Sequence, residues 1–131
     1  MMADAQPASN AKWMTWTGWA CTALALSGLV FSAVMKFVGP EDMVKEFGRL
    51  GWPDRLAFGL GILELTCAIV YVIPQTSVLG AILLTGYLGG AVATHVRIDD
   101  NFVPPIVMGV LVWLGLFLRD PRLRALIPLR K

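Results

Sequence analysis

An acidic residue, Glu64, lies in the middle of a long apolar stretch. Residues 56–73 read LAFGLGILELTCAIVYVI, and Glu64 is their only charged residue. A carboxylate at the centre of a bilayer costs roughly 2.5 kcal/mol or more on insertion scales, and acids kept there are usually partnered or functional. Gly59 and Gly61 precede the acid and can open space beside it. Glu64 is therefore the first candidate for a residue that handles a proton or polarises a substrate.

Two further ionisable residues, Lys36 and His95, fall at the ends of neighbouring apolar stretches. At 1.5 Å per helical residue, each lies within roughly a dozen ångströms of the depth of Glu64, and a lysine stem covers about half of that distance. A buried carboxyl facing an imidazole that titrates near neutrality is suited to acid and base chemistry. The sequence thus predicts a polar constellation of Lys36, Glu64 and His95, with Glu64 and His95 as the catalytic candidates.

The alternative interpretation of these residues is structural. Glu64 would then be protonated or hydrogen-bonded to a neighbouring helix, while Lys36 and Arg97 extend to the membrane surface. For Lys36 and Arg97 this is the simpler interpretation. For Glu64 we favour a function, because a mid-membrane acid is hard to retain as a simple link between helices. For His95 the two interpretations stay open.

Other polar and small residues within the apolar stretches could line a ligand site. Tyr87 and Trp113 need hydrogen-bond partners there and can border a small cavity. Gly86 and Gly90 stand in GxxxG spacing, which lets helix backbones approach closely. The partner of this small-residue face is another helix of the chain, which we favour, or another subunit, which leaves a homo-oligomer open. The ligand-binding candidates are Lys36, Tyr87, Gly90, Arg97 and Trp113.

The composition is that of an integral membrane protein. Hydrophobic residues make up 56% of the chain and charged residues 15%, whereas about a quarter of a soluble domain is charged. The 131 residues form a single integral membrane domain of about four spans, because each span needs about 20 residues. The net charge of +2 is small and dispersed, so the lipid bilayer is the predicted partner and nucleic acid is not.

We predict an all-α fold, a four-helix transmembrane bundle with antiparallel spans. The spans are placed at about 16–37, 55–73, 78–96 and 106–118, after a mobile polar tail at 1–12. The tight connection that begins at Pro74 forces the second and third spans into a hairpin. Pro104 and Pro105 suit the first turn of the fourth. A cleaved signal peptide is the alternative for the first span, but its apolar core is longer than usual and no clear cleavage site follows.

A short amphipathic segment separates the first two spans. In residues 39–54, GPEDMVKEFGRLGWPD, the apolar residues Met43, Val44, Phe47 and Leu50 recur at helical spacing opposite charged ones. This pattern predicts a short interfacial helix along the membrane surface. A solvated loop is the alternative.

The charge and cysteine distributions bear on orientation and redox state. An even number of spans puts both termini on one side, with six Lys and Arg residues against five on the other. The dense C-terminal basic cluster favours cytoplasmic termini, where its side chains would face anionic lipid headgroups. Cys21 and Cys67 both lie toward the terminal side and could approach each other, but they form no C-x-x-C motif. We therefore favour two structural cysteines over a redox pair.

Several short motifs occur in a characteristic order. They are Gly51-Trp52-Pro53, Gly61 to Glu64, Pro74, Leu79-Gly80-Ala81 and Thr94-His95-Val96-Arg97, followed by the double proline. In this order and spacing, over about residues 27–120, the chain resembles the DoxX-like membrane proteins. The resemblance implies a compact four-helix protein of the bacterial inner membrane, and its matching positions are Glu64, Gly89 to Ala91, His95 and Arg97.

The resemblance implies little chemistry. Relatives include subunits linked to quinone-dependent oxidation, proteins proposed to act in redox homeostasis, and assembly factors. This chain has a single histidine and no cysteine motif, so it lacks a pair of haem ligands and a redox role would need a partner enzyme subunit. We predict no metal and no intrinsic cofactor, and a quinone or another lipophilic molecule as the ligand.

Three functions stay open. The first, which we favour, is an accessory or small-molecule-binding subunit in redox or lipophilic-metabolite metabolism. The second is a stand-alone membrane enzyme of the isomerase or hydrolase type, with Glu64 and His95 as acid and base. The third is a structural or chaperone-like protein that docks other membrane proteins.

Overall fold

All regular secondary structure in the described part of the chain is helical. The structure, a computed structural model, describes residues 10–130, and most of the tail predicted at 1–12 lies outside this range. The helices are α1 (Lys12–Val38), α2 (Glu41–Leu50), α3 (Ala57–Val72), α4 (Ser77–Arg97), α5 (Val103–Arg119) and α6 (Pro121–Arg124). Short 3₁₀ turns precede α3 and α4. The all-α class is confirmed.

Three helical segments are long and apolar enough to cross a membrane by length and composition. They are Lys12–Val38, Asp54–Val72 and Pro74–Arg97. The fourth predicted span forms α5, which is apolar but has 17 residues, about 25 Å at 1.5 Å per residue. The four predicted apolar segments therefore each form one helix, with bounds that differ from the prediction by a few residues.

Glycine and proline set several helix ends. α1 and α2 each end at a glycine in the left-handed conformation, Gly39 with φ 66° and Gly51 with φ 83°. This conformation is strained for residues with a side chain and common at helix ends. α5 carries prolines in its first turn, where no intrahelical N–H bond is lost. The predicted amphipathic helix is present as α2, which buries Phe47 and Leu50.

The four long helices pack side by side in a closed ring. α1 contacts α3 and α5, and α4 contacts the same two helices from the other side. The ring encloses an apolar core that includes Ala25, Leu84 and Leu116, all almost fully buried. Gly18 lets α1 approach α5 closely, since a Cβ there would lie 2.7 Å from the Gly115 carbonyl oxygen.

Side-chain contacts define the two ends of the ring. At one, which we call the terminal end, Asn10 donates to the Leu118 carbonyl at 2.8 Å and so ties the start of α1 to the end of α5. At the other, the loop end, Arg49 of α2 donates to Asp100 in the α4–α5 loop at 2.8 Å. The candidate residues lie between and at these ends.

The small-residue face of α4 is open. A Cβ built on Gly86, Gly89 or Gly90 would meet no heavy atom within 4 Å among residues 10–130. This face therefore does not pack against another of the described helices, contrary to the interpretation that we favoured from the sequence. Cys21 and Cys67 are both free.

Candidate functional site

Lys36 and Glu64 form an ion pair between α1 and α3. The Lys36 Nζ lies 3.3 Å from Glu64 Oε1 and donates to Ser32 Oγ at 2.5 Å. Glu64 is 3% exposed, so its charge is compensated inside the ring and not by water. We call this arrangement the Lys36–Glu64 pair. It is the part of the predicted constellation that the structure brings together.

The local sequence explains how these side chains meet. Ser32 and Lys36 are four residues apart and therefore share one face of α1. Gly61 stands one turn before Glu64 on the buried face of α3, where a Cβ would lie 2.9 Å from the Phe37 ring and 3.2 Å from the Lys36 Cβ. The missing side chain thus lets the end of α1 approach the acid. Gly59 has no such neighbour within 4 Å.

Of the four other ligand-binding candidates, one lies near the pair and three lie apart from it. The half-buried Tyr87 of α4 places its phenol close enough to the Glu64 carboxyl to interact with it. Trp113 of α5 instead donates its indole N–H to Thr85 Oγ1 at 2.7 Å. Gly90 lies on the open face of α4. Only Tyr87 therefore extends the polar environment of the acid.

His95 lies in a different cluster from Glu64. Its Nδ1 is 2.7 Å from the Ala91 carbonyl oxygen one turn earlier, and its Nε2 is 3.8 Å from Asp100 Oδ2 in the loop. The predicted depth was reasonable, but the imidazole points toward the α4–α5 loop. The structure therefore does not place an imidazole against the Glu64 carboxyl.

Arg49 occupies the centre of this loop-end cluster. It is hydrogen-bonded to Glu46 and, at 2.8 Å, to Asp100. These two acids raise the pKa of the Arg49 guanidinium, and the bond from Arg49 holds the Asp100 pKa below its usual range. Glu46, His95 and Asp100 are close enough to share a metal ion. The Arg49 guanidinium is already bonded to both carboxylates, however, and a metal ion would have to displace it, so we assign no metal to them.

Arg97 fixes the end of α2. It donates to the Leu50 carbonyl and lies against Gly51, where a Cβ would be 3.1 Å from one of its nitrogens. A cation that bonds the last carbonyls of a helix also suits the helix dipole. Two of the sequence motifs, around Gly51 and around Arg97, therefore meet in one contact. The contact indicates a positioning role for Arg97.

A second buried polar arrangement, at the terminal end, was missed in the sequence. Arg119 Nε donates to Thr22 Oγ1 at 3.3 Å, Thr22 Oγ1 is 3.2 Å from the Tyr71 hydroxyl, and that hydroxyl donates to the Val112 carbonyl at 2.6 Å. We call this the Arg119 chain. Because the Tyr71 proton goes to Val112, the Thr22 hydroxyl donates to Tyr71 and accepts from Arg119. The polar groups of Thr22 and Tyr71 within apolar stretches were the only sequence signal.

Comparison with known proteins identifies one family. A family model described as the DoxX-like family matches residues 11–115. The matched range contains Lys36, Glu64, Tyr87 and His95 and ends before Arg119. No curated protein and no solved structure gives a significant match.

Proposed function

This chain belongs to the DoxX-like family, and from that premise we propose that its four long helices form an antiparallel transmembrane bundle in a bacterial inner membrane. The ring of α1, α3, α4 and α5 supports this arrangement, as does the length of α5, which is near the lower limit for a span. In this arrangement the amphipathic α2 lies along the membrane surface at the loop end. The basic C-terminal segment faces the cytoplasm.

We propose that the protein is an accessory subunit that binds a lipophilic small molecule with a polar head, such as a quinone. The buried Lys36–Glu64 pair carries this proposal. A lysine ammonium has three N–H donors, of which Ser32 and Glu64 use two. The third has no acceptor among residues 10–130 and can donate to a ligand carbonyl, while the apolar body of the ligand stays in the bilayer.

The exposure of the pair suggests the direction of approach. The Lys36 side chain is 13% exposed and that of Glu64 4%, so a ligand would meet the ammonium first. The two cavities described for residues 10–130 are not lined by Glu64. We therefore expect the ligand head to dock on Lys36 from the bilayer.

A second candidate function is the docking of another membrane protein on α4. The open face of Gly86, Gly89 and Gly90 supports it, because small residues let a partner helix approach closely. This is compatible with an accessory subunit of a redox enzyme. The enzyme alternative pairs Glu64 with His95 as acid and base, whereas His95 lies near Asp100, in a different cluster from Glu64.

Native purification in a mild detergent, followed by mass spectrometry of bound lipids, quinones and proteins, tests both candidates. Glu64→Gln should lose a small molecule that the wild type retains, whereas Glu41→Gln, which changes an exposed carboxylate, should keep it. Gly90→Leu should lose a protein partner, and Gly59→Leu, equally open on α3, should keep it. Retention of every wild-type ligand by Glu64→Gln would exclude binding at the pair.

A further inference from the structure

A cavity of about 310 Å³ opens at the terminal end of the ring, far from the Lys36–Glu64 pair. It lies between α1, the 3₁₀ turn before α4, and the junction of α5 with α6. Its lining includes Trp19, Ser77, Leu116, Arg119, Asp120 and Arg122. The cavity therefore combines an indole and an aliphatic floor with two cations.

Arg119 lines this cavity and carries one hydrogen-bond donor without a partner among residues 10–130. Its Nε is bonded to Thr22 at 3.3 Å, and its guanidinium carbon lies 4.2 Å from the centre of the Trp19 ring. Its Nη2, in contrast, is buried and has no hydrogen-bond partner among residues 10–130. A buried donor without a partner is rare and costly in native proteins. The Arg119 chain thus holds the guanidinium in place while leaving Nη2 unpaired.

The neighbouring polar groups do not provide a hydrogen-bond acceptor for Arg119 Nη2. The Asp120 carboxylate accepts from the Arg122 backbone N–H at 3.0 Å and from Arg122 Nε at 3.3 Å, so its charge is directed to Arg122. The Ser77 hydroxyl at the start of α4 donates back to the end of α3, to the Tyr71 carbonyl at 2.8 Å. With one acid and two arginines in its lining, the cavity keeps an excess positive charge.

We propose that this cavity binds a phosphate group, with Arg119 as its principal ligand. A guanidinium edge donates two parallel N–H bonds to phosphate oxygens, and Nη2 has no competing partner among residues 10–130. The phosphate belongs to a phospholipid headgroup or is free phosphate. Trp19 and Leu116 would pack against the glycerol and upper acyl chain of a lipid, at the depth where tryptophans favour the membrane interface. This inference does not depend on the ligand proposed for Glu64.

The test measures binding to the full chain in a mild detergent by native mass spectrometry and thermal unfolding. The probes are phosphatidylglycerol and, separately, inorganic phosphate. Arg119→Gln should weaken phosphatidylglycerol binding about tenfold, the equivalent of one charge-assisted hydrogen bond. Arg130→Gln removes the same charge from the same C-terminal segment, away from the cavity lining, and should change binding less than twofold, roughly the scale of a screened surface charge.

The two probes distinguish the sources of the phosphate. Binding of phosphatidylglycerol alone identifies a lipid headgroup, and stabilisation by inorganic phosphate, lost in Arg119→Gln, shows that the phosphate group suffices. Binding of neither, or an equal loss in Arg130→Gln, overturns the proposal. If Arg119→Gln does not fold, Arg119→Lys keeps the charge but not the planar edge. Wild-type affinity in that variant would also overturn it.

Discussion

The two buried polar arrangements of this protein treat charge in opposite ways. At the Lys36–Glu64 pair, a cation and an anion lie 3.3 Å apart and neutralise each other within the protein. In the Arg119 chain, a cation bonds only a hydroxyl and lies over an indole ring, with no carboxylate within salt-bridge distance among residues 10–130.

The difference separates a closed arrangement from an open one. A buried charge pair carries its own compensation, so removing one partner leaves an uncompensated charge. A cation bonded to a neutral hydroxyl keeps an uncompensated positive charge, which can attract an external anion. Loss of Lys36 or Glu64 should therefore change the stability of the protein most strongly at the Lys36–Glu64 pair. The Arg119 chain should instead respond most strongly to addition of a ligand.

The largest effect should follow loss of one partner of the Lys36–Glu64 pair. Lys36→Met leaves Glu64 buried without a cation, and we expect a loss of about 3 kcal/mol or more of unfolding free energy. Equilibrium unfolding in mixed micelles measures it. Lys45→Met is the matched control, because the Lys45–Glu41 pair is exposed and such pairs contribute about 0.5 kcal/mol.

A double variant sharpens this prediction. Lys36→Met combined with Glu64→Leu replaces the pair by apolar residues of similar size, so most of the lost stability should return. A double variant no more stable than Lys36→Met would show that the pair contributes net stability, and would contradict the comparison with a self-compensated charge pair.

The next largest effect should follow substitution of the glycines at the close helix contacts beside the Arg119 chain and the Lys36–Glu64 pair. A Cβ at Gly18 would lie 2.7 Å from a backbone oxygen, whereas one at Gly61 would lie 2.9 Å from the Phe37 ring, a side chain that can move. We expect Gly18→Ala to cost about 1–3 kcal/mol and Gly61→Ala less. Gly59→Ala, with open space around it, should be neutral or stabilising by up to about 1 kcal/mol. Thermal unfolding would rank the three, and the reverse order of Gly18 and Gly61 would contradict this account.

The sequence identified Glu64, Lys36 and His95 as candidates but did not predict all of their contacts. Glu64 was found because an acid in an apolar run is energetically anomalous, and Lys36 because helical rise fixes its depth. The same rise placed His95 at a compatible depth, yet rise carries no information about the direction of a side chain around its helix. That direction follows from helix packing, which turns His95 toward Asp100.

Arg119 could not be singled out for a different reason. A basic residue at the end of a span is ordinary, since arginine there reaches the membrane surface. Its unpaired Nη2 depends on Asp120 bonding Arg122 and on Thr22 and Tyr71 meeting across three helices. Such a network is a property of packing and leaves little trace in a local pattern.

A smaller effect should follow loss of the hydroxyl that joins Arg119 to Tyr71. Thr22→Val keeps the shape of the side chain but removes the acceptor of the Arg119 Nε and the donor to Tyr71. We expect a loss of about 1–2 kcal/mol, measured by equilibrium unfolding. Thr66→Val, whose hydroxyl bonds only its own helix, should change stability by less than about 0.5 kcal/mol. Equal effects of the two variants would show that the hydrogen bonds of the Arg119 chain do not act as a cooperative unit.

The smallest effect should be a pH dependence of the exposed loop-end cluster, where charges are compensated in water. The Arg49 bond lowers the Asp100 pKa, so Asp100 binds a proton less readily in the folded state. Its contribution to stability is therefore fully present above the ordinary aspartate pKa of about 3.9 and is lost as the pH falls through the lower folded value. Hydrogen exchange of the α2 amides should increase only in that acidic range, and Asp100→Asn should remove the pH dependence. An unchanged pH dependence in Asp100→Asn would contradict this assignment. Because these side chains are exposed and screened, the change should stay local to α2 and leave the buried pair and the Arg119 chain intact.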